Sequence, residues 1–142
     1  MTTYRHSREI SATPTAIFAA ISDPLRLARW WGPDGFTNTF DLFEFQPGGQ
    51  WRFTMHGPDG KDYPNEAIFM QIEPNAKVRI RHTCAPHFEL TIELQEIRAG
   101  SLVTWSQQFD DSKVAESIRH IVEPANEQNL TRLERELASH PK

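Results

Sequence analysis

The chain has 142 residues, a formal net charge of −4 at pH 7 and a hydrophobic fraction of 38%, which together predict a single domain, 1–142, with one buried core. Because fifteen basic residues stand against nineteen acidic ones and form no basic block, the composition argues against nucleic acid as a partner. The N-terminal residues do not resemble a signal peptide, no apolar segment approaches the length of a membrane span, and Cys84 has no second cysteine to pair with. We therefore expect a cytoplasmic protein without membrane insertion or internal disulfides.

The N-terminal segment predicts one strand followed by two short helices. Residues 4–10 alternate weakly between polar and apolar side chains, as a strand does. Thr13 is placed to cap a helix that begins at Pro14, and Asp23 to cap another that begins at Pro24, because proline suits the first turn of a helix. The sequence "GPDG" predicts where the second helix ends.

From residue 36 to residue 110, the hydrophobic period changes from that of a helix to that of a strand. The turns in this region are rich in glycine, proline and asparagine, and they are too short for crossover connections. We therefore expect antiparallel neighbours in one meander. The six predicted strands lie at 36–45, 50–56, 64–73, 77–83, 87–97 and 101–109.

The C-terminal segment returns to helical spacing. Residues 118–137 carry an apolar stripe typical of an amphipathic helix, and Asp111 or Ser112 is placed to cap it. Pro124 interrupts this pattern, and a proline inside a helix costs about 3 kcal/mol. We therefore expect a kink or break there, with a well-formed helix from about Pro124 to Ser139.

These elements predict an α+β fold with the order strand, two short helices, six strands and a long C-terminal helix. The strands form a curved antiparallel sheet that wraps around the long helix, in a helix-grip arrangement. The motifs "RLARWWGP", "FQPGGQWRFTMHGPDG", "IEPNAKVRIRH" and "NEQNLTRLERELA" resemble those of the SRPBCC superfamily, which has the START-type helix-grip fold. Within it, the chain is most similar to the bacterial branch related to the C-terminal domain of the 90-kilodalton heat-shock protein ATPase activator. The resemblance covers about residues 8–138. It implies a cavity between the sheet and the last helix, where many relatives bind apolar small molecules.

Side-chain alternation along the strands indicates which residues would face such a cavity. His82 and Gln107 are polar residues on otherwise apolar strand faces, and Asn126 and Asn129 lie in the apolar stripe of the last helix. Such groups either orient a ligand or satisfy one another, or a trapped water, in a filled core. The predicted ligand-binding residues are Trp31, Phe43, Phe45, Trp51, Phe53, His82, Phe88, Trp105, Gln107, Asn126, Asn129 and Leu133.

Three classes of function compete at this level. The preferred one is a binding protein for an apolar or aromatic small molecule, with no cofactor. The second is a protein-interaction module that contacts a chaperone, which the family resemblance implies. The third and least favoured is a cyclase- or hydrolase-type enzyme in which His82 acts as acid or base with Glu66 as its partner, so enzymatic activity is uncertain and on balance not expected.

Two further expectations concern metal binding and assembly. His82, Cys84 and His87 are residue types that zinc accepts, but no fourth ligand is evident, so we predict no metal site. The sequence leaves a monomer and a homodimer open. An exposed face that bears Phe40 or Phe69 would favour the dimer.

Overall fold

The computed structural model describes residues 1–139, so the last three residues of the predicted domain lie outside the described part of the chain. Its elements follow the predicted order, and the α+β helix-grip class is confirmed. They are β1 (Thr2–Ile10), α1 (Pro14–Ser22), α2 (Pro24–Trp30), β2 (Thr37–Phe43), β3 (Gln50–His56), β4 (Asp62–Glu73), β5 (Lys77–His82), β6 (Phe88–Ile97), β7 (Gly100–Phe109) and α3 (Ser112–Ser139).

The seven strands form one antiparallel sheet in the order β1-β7-β6-β5-β4-β3-β2. Short turns join consecutive strands from β2 to β7, as the meander prediction requires. The helices α1 and α2 carry the chain from β1 at one edge of the sheet to β2 at the other. Register shifts between Phe40 and Leu42, and between Phe69 and Gln71, mark irregularities of the kind that bend a sheet.

The predicted helix caps are confirmed. The Thr13 hydroxyl accepts the N–H of Ala16 at 3.1 Å, and the Asp23 carboxylate accepts that of Leu25 at 3.0 Å. Asp111 caps α3, because its carboxylate accepts a backbone N–H two residues further on at 2.9 Å. Each side chain satisfies a donor that the first turn of a helix leaves without an internal partner. Among residues 1–139, no helix combines the length and the hydropathy that crossing a bilayer requires.

Of the kink or break expected at Pro124, the break is wrong, because α3 runs without interruption from Ser112 to Ser139. The proline removes the N–H that would bond the carbonyl of His120. Pro124 and His120 are both exposed, so water can bind the carbonyl that has lost its helical donor. The local cost of proline is therefore smaller than the gain from packing the two halves of the helix.

Two apolar clusters hold α3, one on each side of Pro124. The N-terminal half packs Ala115 against Tyr4 of β1 and Phe109 of β7. The C-terminal half buries Leu130 and two further leucines in the main core. Between these clusters, the helix passes over the concave face of the sheet.

An exposed face that bears Phe69 is ruled out, and Phe40 is only partly exposed. Phe69 is 1% exposed and Phe40 is half-buried against the main core. Both rings contact Trp51, at centroid distances of 5.7 Å and 5.3 Å. Phe69 shares its strand face with the buried Ala67, whereas Met70, one residue further on, points away and is 47% exposed.

The continuity of α3 predicts that Pro124→Ala stabilises the protein. Alanine restores the backbone hydrogen bond to His120 and fits a helix interior, so we expect the free energy of unfolding to rise by about 2 kcal/mol. Urea denaturation measures the change. Pro14→Ala is the matched control, because Pro14 lies in the first turn of α1, where no helical hydrogen bond is lost. A Pro124→Ala variant no more stable than the wild type would contradict the expectation.

Candidate functional site

A pocket of about 160 Å³ lies between the concave face of the sheet and α3, beside the loop that follows α2. Strands β3 to β7 form its floor and walls, and α3 forms its roof. Aromatic and aliphatic side chains predominate. The lining residues are Trp31, Gly32, Pro33, Trp51, Phe53, Met55, Asn65, Ala67, Ile80, His82, Phe88, Leu90, Trp105, Gln107, Ala125, Asn126 and Asn129.

Three of the residues predicted for the site, Phe43, Phe45 and Leu133, do not border this pocket. Phe43 and Phe45 stack on each other at 5.6 Å, and Phe45 also contacts Phe69 at 5.0 Å. They belong to an aromatic cluster at the C-terminal end of β2, which is an edge strand of the sheet. Leu133 is fully buried in the filled part of the core. The other predicted residues all border the pocket, as the lining set above shows.

Several lining residues were absent from the predicted set. The alternation rule places Met55, Ile80 and Leu90 on the same strand faces as the predicted residues, although the predicted set did not include them. No sequence signal identifies Gly32 and Ala125, because small residues are as common in loops and helices that border no site as in those that do. Their small size is what leaves room at these positions.

Four aromatic side chains interlock to form one wall of the pocket. Trp51 stacks on Phe53 at 4.2 Å, and Trp31 meets Trp51 edge-on at 5.0 Å. Trp31 also contacts Trp105 at 5.6 Å. Rings in edge-on or offset contact fix one another in place, so this wall is expected to keep its shape when the pocket is empty.

His82 lies on the floor of the pocket with both ring nitrogens engaged. Nδ1 is 2.8 Å from the carbonyl oxygen of Pro86, and Nε2 is 2.7 Å from Oδ1 of Asn65. The partner of His82 is thus Asn65 and not the predicted Glu66, because Glu66 points to the opposite face of β4. The imidazole also stacks on Phe88 at 4.4 Å.

These contacts determine the protonation state of His82. Burial lowers the pKa of its imidazole below the ordinary value, and the hydrogen bond to Pro86 opposes this only in part. The Pro86 carbonyl and Oδ1 of Asn65 both only accept, so the single N–H of the neutral ring can donate to one of these two oxygens at a time. The Cys84 sulfur lies 3.5 Å from Nε2 of His82, but within residues 1–139 no three His, Cys, Asp or Glu side chains group as metal ligands.

The other predicted polar residues bind to each other or to the backbone. Asn126 on the roof donates its side-chain N–H to Oε1 of Gln107 on β7 at 3.1 Å. Asn129 donates to the carbonyl of Trp30 at 2.9 Å and accepts the backbone N–H of Gly32 at 3.1 Å. Asn129 therefore ties α3 to the loop after α2.

Arg132, which the sequence did not single out, strengthens the same contact. Its guanidinium donates to five backbone carbonyls at 2.8–3.1 Å, those of Arg29, Trp31, Gly32, Pro33 and Phe36. Burial lowers the pKa of Arg132, and the nearby charge of Asp34 opposes this shift. We call the contacts of Asn129 and Arg132 the loop clamp, because they fix the loop that carries Trp31 against the roof of the pocket.

Comparisons with known proteins agree with this architecture. Residues 11–138 match the model of the family described as Activator of Hsp90 ATPase homolog 1-like protein. A protein from Chromobacterium violaceum is 21% identical with a TM-score of 0.84, and the alignment covers 95% of this chain and 96% of that one. An AHSA1 protein from Silicibacter pomeroyi is 23% identical with a TM-score of 0.80, over 97% of this chain and 99% of that one. A protein from Arthrobacter aurescens is 20% identical with a TM-score of 0.88, over 99% and 88%. Likeness at these identities shows the shared fold, and no curated protein matches the chain.

The loop clamp predicts a large effect of Arg132→Met. The substitution removes the donor that the half-buried carbonyls of Gly32 and Phe36 accept, so we expect the free energy of unfolding to fall by about 2–4 kcal/mol. Arg132→Lys should recover only part of the lost stability, because an ammonium group cannot donate to several carbonyls in the fixed planar geometry of a guanidinium. Urea denaturation followed by tryptophan fluorescence measures both. Arg135→Met, three residues further along α3 and exposed, is the control and should change little. Equal effects at the two positions would refute the role of the clamp.

Proposed function

The chain belongs to the family of Activator of Hsp90 ATPase homolog 1-like proteins, and we propose that it binds one apolar or aromatic small molecule in the pocket under α3. The observation that carries the proposal is the unfilled space itself. Protein interiors are close-packed and contain few voids larger than a water molecule. A pocket with aromatic walls inside such a core is the usual setting of a small-molecule site.

The size of the pocket favours a ligand of about one ring. An apolar cavity of roughly 150 Å³ accommodates a molecule such as benzene, and the pocket here has a volume of about 160 Å³. The rings of Trp31, Trp51, Phe53 and Trp105 offer faces and edges to an aromatic guest. Affinity would come from removing the apolar surface of the ligand from water.

The arrangement of His82 argues against the enzymatic alternative. A general acid or base needs a ring nitrogen within hydrogen-bond reach of the substrate. Both nitrogens of His82 contact protein oxygens instead, at 2.8 Å and 2.7 Å. We therefore propose binding without chemistry at this histidine.

The setting of the protein is part of the proposal. We propose that residues 1–142 act as a single domain, as a monomer or homodimer, in the cytoplasm. The free thiol of Cys84 is compatible with a reducing compartment.

Filling the pocket should abolish binding. We expect ethylbenzene to bind the wild type with a Kd of about 1 mM or below and to shift the NMR resonances of pocket-lining residues. Ala125→Phe places a ring in the space under the roof and should weaken binding at least about tenfold. Ala138→Phe, at an exposed position of the same helix, is the matched control and should bind like the wild type. Equal binding by both variants would place ethylbenzene elsewhere and contradict the proposal.

A chaperone contact is the second candidate, because the family description names activation of the Hsp90 ATPase. Val114 and Ile121 of α3 support this candidate, because they are apolar, 36% and 59% exposed, and lie two turns apart on one helix face.

This candidate predicts that the purified chain raises ATP hydrolysis by an Hsp90-type chaperone and that Ile121→Asp reduces the effect several-fold, because a charge opposes an apolar contact. A steady-state ATPase assay measures this. Leu25→Asp, which is 75% exposed on α2, is the control for a charge placed elsewhere. Unchanged hydrolysis with the wild-type chain would remove the candidate.

A further inference from the structure

Two indole groups of the pocket wall lack hydrogen-bond partners among the described residues. Nε1 of Trp51 and Nε1 of Trp105 are both buried and unpaired. Trp51 is 0% exposed and Trp105 is 2% exposed. By contrast, Nε1 of Trp30, which does not line the pocket, donates to the carbonyl of Ala20 at 3.0 Å.

An unpaired indole N–H is costly inside a protein. The group can only donate, and a buried donor without an acceptor costs about 1–3 kcal/mol. Both unpaired donors belong to residues that line the same pocket. The other buried polar atoms without a partner among the described residues belong to His6, Arg26 and Asn38, outside the pocket lining, so these two indoles are the unpaired donors that a ligand could meet there.

The remaining polar side chains of the pocket do not bond either indole, and this includes Asn126, whose side-chain oxygen is an acceptor. His82 and Asn129 are engaged with other residues of the protein. Gln107 uses its side-chain oxygen to accept from Asn126, which leaves its NH₂ group, a further donor. Donors thus predominate on the side of the pocket formed by β7 and the aromatic wall.

The charge of the pocket restricts the ligand further. Among the described residues that line it, none is Lys, Arg, Asp or Glu, and burial holds His82 toward its neutral form. An ionised ligand would lose its hydration here without gaining a counter-charge, which is strongly unfavourable. The chemistry of the lining therefore selects a neutral molecule with an acceptor.

We propose that the ligand is a neutral, single-ring molecule with a carbonyl-type oxygen, and that this oxygen accepts the indole N–H of Trp105, with Trp51 as the second donor. This inference rests on the proposed function of the pocket. Trp105 is the main donor because fewer rings enclose it. Its aromatic neighbours are Trp30 and Trp31, whereas five rings surround Trp51, those of Trp31, Phe40, Phe43, Phe53 and Phe69.

Two probes of nearly equal shape test the inference. Acetophenone and ethylbenzene differ in having a carbonyl or a methylene group beside the ring. With acetophenone, we expect the Nε1–H resonance of Trp105 to move downfield and the carbonyl stretch of the probe to fall below its value in hexane. Ethylbenzene, which has no acceptor, should not move the Nε1–H resonance of Trp105 downfield. Both measurements use the wild-type chain, so they do not depend on the folding of a variant.

Substitution of the donor gives a second readout. Trp105→Phe should weaken acetophenone binding by about tenfold and ethylbenzene binding by about twofold or less, because only the ketone loses a hydrogen bond. Trp31→Phe is the matched control: it removes a similar ring area from the same wall, and its indole nitrogen is not one of the unpaired atoms. This control should affect the two probes equally.

The outcomes separate the two proposals. If both probes bind in the pocket, no indole proton moves and Trp105→Phe weakens both equally, the acceptor inference is overturned and the binding function stands. If the Trp51 resonance alone moves, the assignment of Trp105 as the main donor is overturned. If neither probe binds, the binding function fails and the inference fails with it.

Discussion

The pocket depends on the loop clamp, through which Asn129 and Arg132 hold α3 against the loop after α2. Its hydrogen bonds join residues that are 96 to 103 positions apart in the chain. The guanidinium supplies donors for carbonyls at and beyond the end of α2, which no helical N–H reaches. Because the loop carries Trp31 and α3 carries the roof, the clamp sets the distance between the roof and the aromatic wall.

The space under the roof persists because of where α3 finds its apolar contacts. The helix is packed at Ala115 on one side of the pocket and at Leu130 on the other. Between them, the positions over the sheet carry Ala125 and Asn126, whose side chains are too short to fill the gap. A leucine at either position would extend the core into this space. The pocket is therefore a property of side-chain size at a few helical positions and requires no unusual backbone.

The sequence predicted the sheet well, because alternation along a strand is a local signal that tertiary structure seldom reverses. The same rule placed Trp51, Phe53 and Trp105 on the inner face. It failed where the result depends on distant partners. The break expected at Pro124 did not occur because packing on both sides of it outweighs a local cost. The role of Arg132 gave no signal, because its partners are backbone carbonyls, which have no sequence identity.

Family membership explains the fold, whereas the chemistry of the pocket depends on the residues of each individual chain. Relatives with TM-scores above 0.8 share only about a fifth of their residues with this one. The polar groups of the pocket divide into two kinds. His82 and Asn129 are engaged by the protein itself, so they stabilise the walls. The indoles of Trp51 and Trp105 have no such partner among the described residues, so selectivity among apolar ligands would depend on what these two donors meet.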